Sequence, residues 1–297
     1  MNMLFKELKN GVKVPMIGFG VYQIPLEDTK RCVLDAIKAG YRHIDTAQSY
    51  FNEEGVGDAI VECGLPREEL FITSKVWLEH YGYEATKESV LESLRKLKTE
   101  YIDLMLLHQP FNDVYGSYRA LIDLYKDGKI KAIGVSNFSP DRLVDIASFN
   151  EIPPMVNQVE TNPFNQQTEA QKWNEKYGCA LEAWAPFGEG RKDIFTNETL
   201  KSIGDKYGKS NAQVIVRWLL QRGVIVLAKS VHFERMQQNI DVFDFELTDE
   251  DMKLIASLDD TNSLFFSHTD PNMVEWFVKM VQERKKNKVA SKEKKNW

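Results

Sequence analysis

Residues 40–50 read Gly40-Tyr41-Arg42-His43-Ile44-Asp45-Thr46-Ala47-Gln48-Ser49-Tyr50. A short apolar strand runs into a carboxylate, passes through small residues and reaches a tyrosine five positions later. That order is expected at the carboxyl end of a barrel of parallel strands, where the loops after the strands carry the chemistry. Outward from this stretch the same alternation repeats. Strand candidates fall at 16–20, 41–45, 70–75, 102–108, 132–136, 155–160, 180–184 and 224–228, eight in all. Helical periodicity separates them at 27–39, 54–63, 83–98, 116–127, 140–148 and 168–177, then at 196–207 and 210–222, with 234–239 and 248–258 after the last strand. Eight apolar strands, each followed by helix, predict a parallel sheet covered on both faces.

The fold expected is therefore α/β, one closed (β/α)8 TIM barrel over residues 1–282 with extra C-terminal helices. An N-terminal β-hairpin is predicted around Asn10-Gly11, a dipeptide suited to tight hairpin turns, and it could plug one end of the barrel. A doubly wound sheet would carry a glycine fingerprint at its first strand–helix turn. Gly18-Phe19-Gly20 lacks the third glycine, and Gly55-Val56-Gly57 follows no strand.

The formal charge is −6 over 297 residues. Residues 283–297 hold seven basic and two acidic side chains, so this segment is +5, the rest −11, and the end reads as a basic, flexible tail. An acidic body argues against nucleic acid or an anionic membrane as partner. Cys32, Cys63 and Cys179 are odd in number and widely spaced, which predicts neither disulfides nor a metal site. The first residues lack the pattern of a secretory leader, and no apolar run approaches the roughly 20 residues of a spanning helix. A cytoplasmic protein, monomeric or weakly oligomeric, is expected.

The polar residues at the proposed strand ends converge on one mouth: Asp45, Lys75, His108, Ser136-Asn137, Gln158, Trp184 and Lys229-Ser230. Lys75 and His108 each close an apolar strand, where a buried charge needs a partner; Asp45 is the natural one for Lys75. Tyr50 then becomes a candidate acid. A phenol near its ordinary pKa of about 10 donates poorly at neutral pH, and a neighbouring Lys⁺ is expected to lower that value. His108 could donate a hydrogen bond to a substrate oxygen. These four groups can protonate an oxygen on which negative charge develops, as in carbonyl reduction. They supply no hydride, so a cofactor is required.

The motifs Gly40–Ala47, Ser74-Lys75-Val76-Trp77, Leu106-Leu107-His108, Gly134-Val135-Ser136-Asn137-Phe138, Asn157-Gln158-Val159-Glu160 and Lys229-Ser230 with Arg235 and Asn239 resemble the aldo-keto reductase family. The likeness is to its prokaryotic 2,5-diketogluconate reductase-like and prostaglandin F synthase-like branches, and it spans about residues 4–278. It implies an NADPH-dependent oxidoreductase that reduces aldehydes and ketones to alcohols, with Tyr50 as proton donor and Asp45, Lys75 and His108 completing a catalytic tetrad. It also implies that Ser136, Asn137 and Gln158 hold the nicotinamide carboxamide and that Trp184 stacks on the ring. Gly20 and Val21 would line the cofactor, as would Asp45, and residues 185–190, including Ala185, Phe187 and Gly188, would fold over the pyrophosphate. Lys229, Ser230, Val231, Arg235, Gln238 and Asn239 would take the adenosine end. Independently of the resemblance, Lys229, Arg235 and the Ser230 hydroxyl make a charge-assisted cradle for a 2′-phosphate, which favours NADPH over NADH. The loop after His108 is short, so an open substrate site bounded by Tyr22, Trp77, Phe111 and His108 is expected, with 263–277 packed compactly on the barrel through Phe265, Phe266 and Trp276. The alternative is a non-catalytic nicotinamide-binding module of the same fold, akin to a channel subunit or a structural protein.

Overall fold

The computed structural model of the chain describes residues 3–294, with side chains described to residue 286. It opens with an antiparallel hairpin of β1 (Phe5–Glu7) and β2 (Lys13–Pro15), with Phe5 opposite Pro15. Gly11 takes φ 84° at the turn, a conformation that costs glycine little. The Asn10 amide donates to the Lys131 carbonyl at 2.9 Å, which fixes the hairpin to the amino-terminal end of the sheet, opposite the mouth.

The barrel strands are β3 (Ile17–Gly20), β4 (His43–Asp45), β5 (Phe71–Val76), β6 (Ile102–Leu107), β7 (Ile130–Ser136), β8 (Val156–Glu160), β9 (Ala180–Trp184) and β10 (Ile225–Ala228). They pair in sequence order, all parallel, and β10 closes on β3 through Val226 opposite Ile17. Every residue of β5 and of β8 is buried, as expected for strands covered by helices outside and side chains inside.

Around the barrel run α1 (Leu26–Ala39), α2 (Glu53–Glu62), α3 (Tyr83–Leu97), α4 (Val114–Lys126), α5 (Pro140–Ser148), α6 (Thr168–Lys176), α7 (Glu198–Tyr207), α8 (Asn211–Gln221), α9 (Phe233–Ile240) and α10 (Asp249–Ala256). Helix α1 buries Cys32, Val33, Ala36 and Ile37 and stops at Gly40, whose φ of 117° turns the chain into β4. A side chain at Gly57 would meet the Lys96 carbonyl at 2.2 Å, so α2 approaches the end of α3 as closely as backbone allows. No helix among the described residues is long and apolar enough to cross a membrane.

The C-terminal part adds a helix that sequence reading did not name. Where sequence reading ends the ordered fold near 282, a helix α11 runs over Pro271–Lys294 and takes up most of the segment read as a tail. Its Phe277 is buried, whereas Trp276, expected to pack inward, is exposed. The side chains of Lys288, Lys292, Lys294 and Lys295 lie outside the described residues.

Candidate active site

The mouth is built from strand ends. Asp45 closes β4 and Lys75 lies near the end of β5, both essentially excluded from solvent. Lys75 Nζ donates to Asp45 Oδ1 at 2.6 Å, to the Thr46 carbonyl at 2.9 Å and to the Tyr50 hydroxyl at 3.3 Å. Three oxygens thus surround one ammonium in the barrel interior. Burial works against that charge, but Asp45, Tyr50 and Glu182 outweigh it, and Lys75 stays above the ordinary lysine value.

Tyr50 sits in a 3-10 turn, Gln48–Tyr50, that the sequence reading did not resolve. Gln48 pins the turn: its Oε1 accepts from the Trp77 amide at 2.9 Å and its Nε2 donates to the Ser89 carbonyl at 3.2 Å. Asn52 follows with Nδ2 donating to the Val21 and Ile24 carbonyls at 2.9 and 3.1 Å, while its Oδ1 accepts from Thr46 Oγ1 at 2.9 Å. The tyrosine is half-buried rather than exposed, with its ring 4.9 Å from Tyr22 and 5.7 Å from His108. Its phenol does not follow the expectation of a lowered pKa. Burial pushes it up to about 12, ahead of the opposing pull of Lys75. His108 is driven well below the usual histidine range by burial, then by Lys75 and His268, and is neutral; its Nδ1 lies 3.4 Å from Ser49 Oγ.

Ser136, Asn137 and Gln158 form one network. Ser136 Oγ and the Asn137 amide donate to the Gln158 carbonyl at 2.8 and 2.9 Å. Asn137, at φ 65°, spans to its neighbours, with Nδ2 donating to the His108 carbonyl at 3.1 Å and Oδ1 accepting from Trp184 Nε1 at 2.9 Å. The Gln158 side chain points into the barrel and donates to Asp45 Oδ2 at 2.9 Å. Gly20, half-buried, and Val21, buried, lie beside Asp45, whose carbonyl accepts from the Val21 amide at 3.0 Å.

Ala185 at φ 47° and Gly188 at φ 53° begin a loop of left-handed residues that reaches Asp193. Lys192 pairs with Asp260, and Arg191 donates to the Leu264 carbonyl at 3.0 Å. Lys229, Val231, Arg235 and Gln238 are exposed, while Ser230 and Asn239 are buried. Neither Lys229 nor Arg235 takes part in an ion pair among the described residues.

The C-terminal segment packs beside the mouth. Glu160 at the end of β8 accepts from Ser263 Oγ at 2.5 Å and from the Leu264 amide at 2.9 Å. From there Phe265 meets Trp184 at 5.2 Å between ring centroids, and His268 stacks on Phe111 at 6.3 Å. Phe277 of α11 reaches Trp77 at 6.0 Å and Phe111 at 5.6 Å. Trp77 is buried and its ring stands 4.8 Å from His108, whereas Tyr22 stays exposed.

Two mouth residues were missed by sequence reading. His268 has no patterned neighbours to announce it. Glu182, fully buried on β9, met the same test that singled out Lys75, a charge inside an apolar strand.

The aldo/keto reductase family profile matches residues 16–260. The chain belongs to the aldo/keto reductase family. Among its relatives, the glyoxal reductase of Bacillus subtilis (strain 168) is 49% identical over 254 residues, covering 85% of this chain and 91% of that one. Among solved aldo-keto reductases, MGS-M4 from a Medee basin deep-sea metagenome library superposes with a TM-score of 0.87 at 42% identity, covering 89% of this chain and 98% of its own. The Bombyx mori aldo-keto reductase AKR2E4, solved in complex with NADP, gives 0.85 at 33% identity over 90% of this chain and 96% of that one.

Proposed function

We propose that this chain reduces aldehydes and ketones to alcohols, with NADPH as hydride donor and Tyr50 as proton donor. The observation that carries the reading is the buried ammonium of Lys75, held between Asp45 at 2.6 Å and the Tyr50 hydroxyl at 3.3 Å beside a neutral His108. Membership of a reductase family and 49% identity to a glyoxal reductase support it, and an NADP complex of a relative supports the choice of cofactor.

The donor set suits such a cofactor. Lys229 and Arg235 are exposed cations without ion-pair partners among the described residues, and Ser230 adds a hydroxyl, the set a 2′-phosphate asks for. Ser136, Asn137 and Gln158 offer amide and hydroxyl groups for a carboxamide, with Gly20, Val21, Trp184 and the loop containing Ala185, Phe187 and Gly188 around them. Val231, Gln238 and Asn239 flank the adenosine end. Bound there, the nicotinamide supplies a hydride to the carbonyl carbon.

The remaining work falls to the chain. A neutral imidazole at His108 donates an N–H to the carbonyl oxygen and orients it. Tyr50 is fully protonated at neutral pH, since burial holds its phenol at about 12. An alkoxide is far more basic than a phenolate, so the proton still moves downhill as negative charge builds on the substrate oxygen. Lys75 stabilises the phenolate left behind, and Asp45 keeps Lys75 charged and in place. Tyr22, Trp77 and Phe111 give the substrate an apolar, aromatic wall suited to small aldehydes and dicarbonyls.

The test is NADPH consumption with glyoxal, methylglyoxal, aromatic aldehydes and keto sugars. Turnover on at least one of them is expected. Tight NADPH binding with no turnover on any would overturn the reading in favour of a non-catalytic nicotinamide-binding module.

A further inference from the structure

The geometry points to Glu182 as a positioning residue for the cofactor: with Asp45 it fixes the side-chain amide of Gln158 so that Oε1 is left as the acceptor at the mouth. This rests on the NADPH reading above. Gln158 Nε2 donates to Asp45 Oδ2 at 2.9 Å and to Glu182 Oε2 at 3.0 Å. A primary amide nitrogen has two hydrogens, and both are consumed by carboxyl oxygens inside the barrel. The inverted amide would set its oxygen against the Asp45 carboxylate and lose the donation to both carboxyl groups. The orientation is therefore chosen from beneath, before any ligand arrives.

The surroundings of Glu182 are those of a neutral acid. His43 on β4 faces the Pro15 carbonyl with Nδ1 at 3.2 Å. A carbonyl only accepts, so Nδ1 carries the hydrogen, and Nε2 accepts from Thr73 Oγ1 at 2.9 Å. Burial holds His43 uncharged, down at about 3. Glu182 Oε1 lies 3.6 Å from the same Nε2. Burial, then the charge of Asp45, pushes the Glu182 carboxyl up to about 8, against the opposing pull of Gln158 and Lys75. A protonated carboxyl presents one carbonyl oxygen to Gln158, which a glutamine at this position would also do.

Gln158 also holds its neighbours through its backbone. The Gln158 backbone carbonyl accepts from Ser136 Oγ and from the Asn137 amide at 2.8 and 2.9 Å. A Gln158 side chain free to rotate would lose its defined acceptor while this backbone contact stayed in place. The consequence should fall on the nicotinamide half of the cofactor and leave the adenosine half alone.

The experiment compares affinities for NADP⁺ and for 2′-phospho-ADP-ribose, which lacks the nicotinamide, in wild type, Glu182→Met and Glu182→Gln. Glu182→Met is expected to weaken NADP⁺ about tenfold, the scale of one lost hydrogen bond, and to leave 2′-phospho-ADP-ribose within twofold. Glu182→Gln is expected to restore both. Unchanged NADP⁺ affinity in Glu182→Met, or equal weakening of the two ligands, overturns the assignment. Should Glu182→Met fail to fold, the side-chain amide signals of Gln158 in the ligand-free wild type, assigned by their loss in Gln158→Leu, decide it. Slow solvent exchange of both protons supports the lock and fast exchange overturns it. Wild type that binds no NADP⁺ would sink the functional reading itself, and the exchange measurement would still judge the lock.

Discussion

At the scale of single residues, the site is a set of buried charges whose protonation states differ from those of the free side chains. Lys75 and Asp45 were legible because a lysine inside Phe71–Val76 needs a counter-charge. The Tyr50 pKa was not, because its direction depends on whether burial or Lys75 dominates, and only the packed structure shows that burial does. Glu182 gives a pH signature. Its carboxyl sits at about 8 in the folded protein against about 4.3 in an unfolded chain. The folded state thus holds a proton that the unfolded state has released, and stability falls as pH rises through that window. The groups facing Glu182 are His43, Asp45, Lys75 and the neutral Gln158. Glu182→Gln removes this titration and, with it, the charge that an ionised Glu182 places beside Asp45. Melting temperatures of wild type and Glu182→Gln should agree near pH 4.5 and diverge towards pH 9, with the variant the more stable; parallel curves would refute the buried neutral acid.

At the scale of elements, the strands and the main helices were legible from alternation, and their boundaries moved by only a few residues. The short turns were not. Gln48–Tyr50 is held by long-range contacts from Gln48 to Trp77 and Ser89, which no local propensity encodes. Helix α11 was missed because its residues were divided between a compact segment ending at 277 and a charged tail from 283; Met273, Phe277 and Met280 pack on the core. Asn52 ties the Tyr50 turn to the first barrel loop through Val21 and Ile24 and reaches Thr46, whose carbonyl accepts from Lys75. Asn52→Ala leaves the buried Thr46 hydroxyl without its acceptor and takes one donor from each of the Val21 and Ile24 carbonyls, which keep the Ile24 amide and Thr29 Oγ1. A destabilisation of about 1–3 kcal/mol is expected, with kcat reduced and NADP⁺ affinity within twofold. Denaturant titration and steady-state kinetics check both.

At the scale of the molecule, the hairpin is tied to one end of the barrel and the candidate site lies at the other. The family match over residues 16–260 leaves the segment beside the mouth, from Ser263 through α11, outside it. The fold and the strand-end positions follow from a pattern that repeats along the chain, whereas the packing of this segment rests on contacts made only in the folded chain, such as Phe265 on Trp184 and Phe277 on Trp77. The charge distribution makes its own prediction. Lys229 and Arg235 are exposed cations on an otherwise acidic chain, so NADPH should bind more weakly as ionic strength rises. The Lys229→Ala, Arg235→Ala double variant should raise the NADPH KM about tenfold or more, flatten its salt dependence and leave the NADH KM nearly unchanged. Equal effects on both dinucleotides would remove the 2′-phosphate cradle. The central claim is that Tyr50 delivers the proton in a carbonyl reduction. Its most direct test is kcat for Tyr50→Phe on a substrate that wild type turns over, at saturating NADPH, with NADP⁺ affinity measured alongside. The account predicts a fall of at least about 100-fold, as for a lost general acid, with affinity within twofold; near wild-type turnover would contradict it.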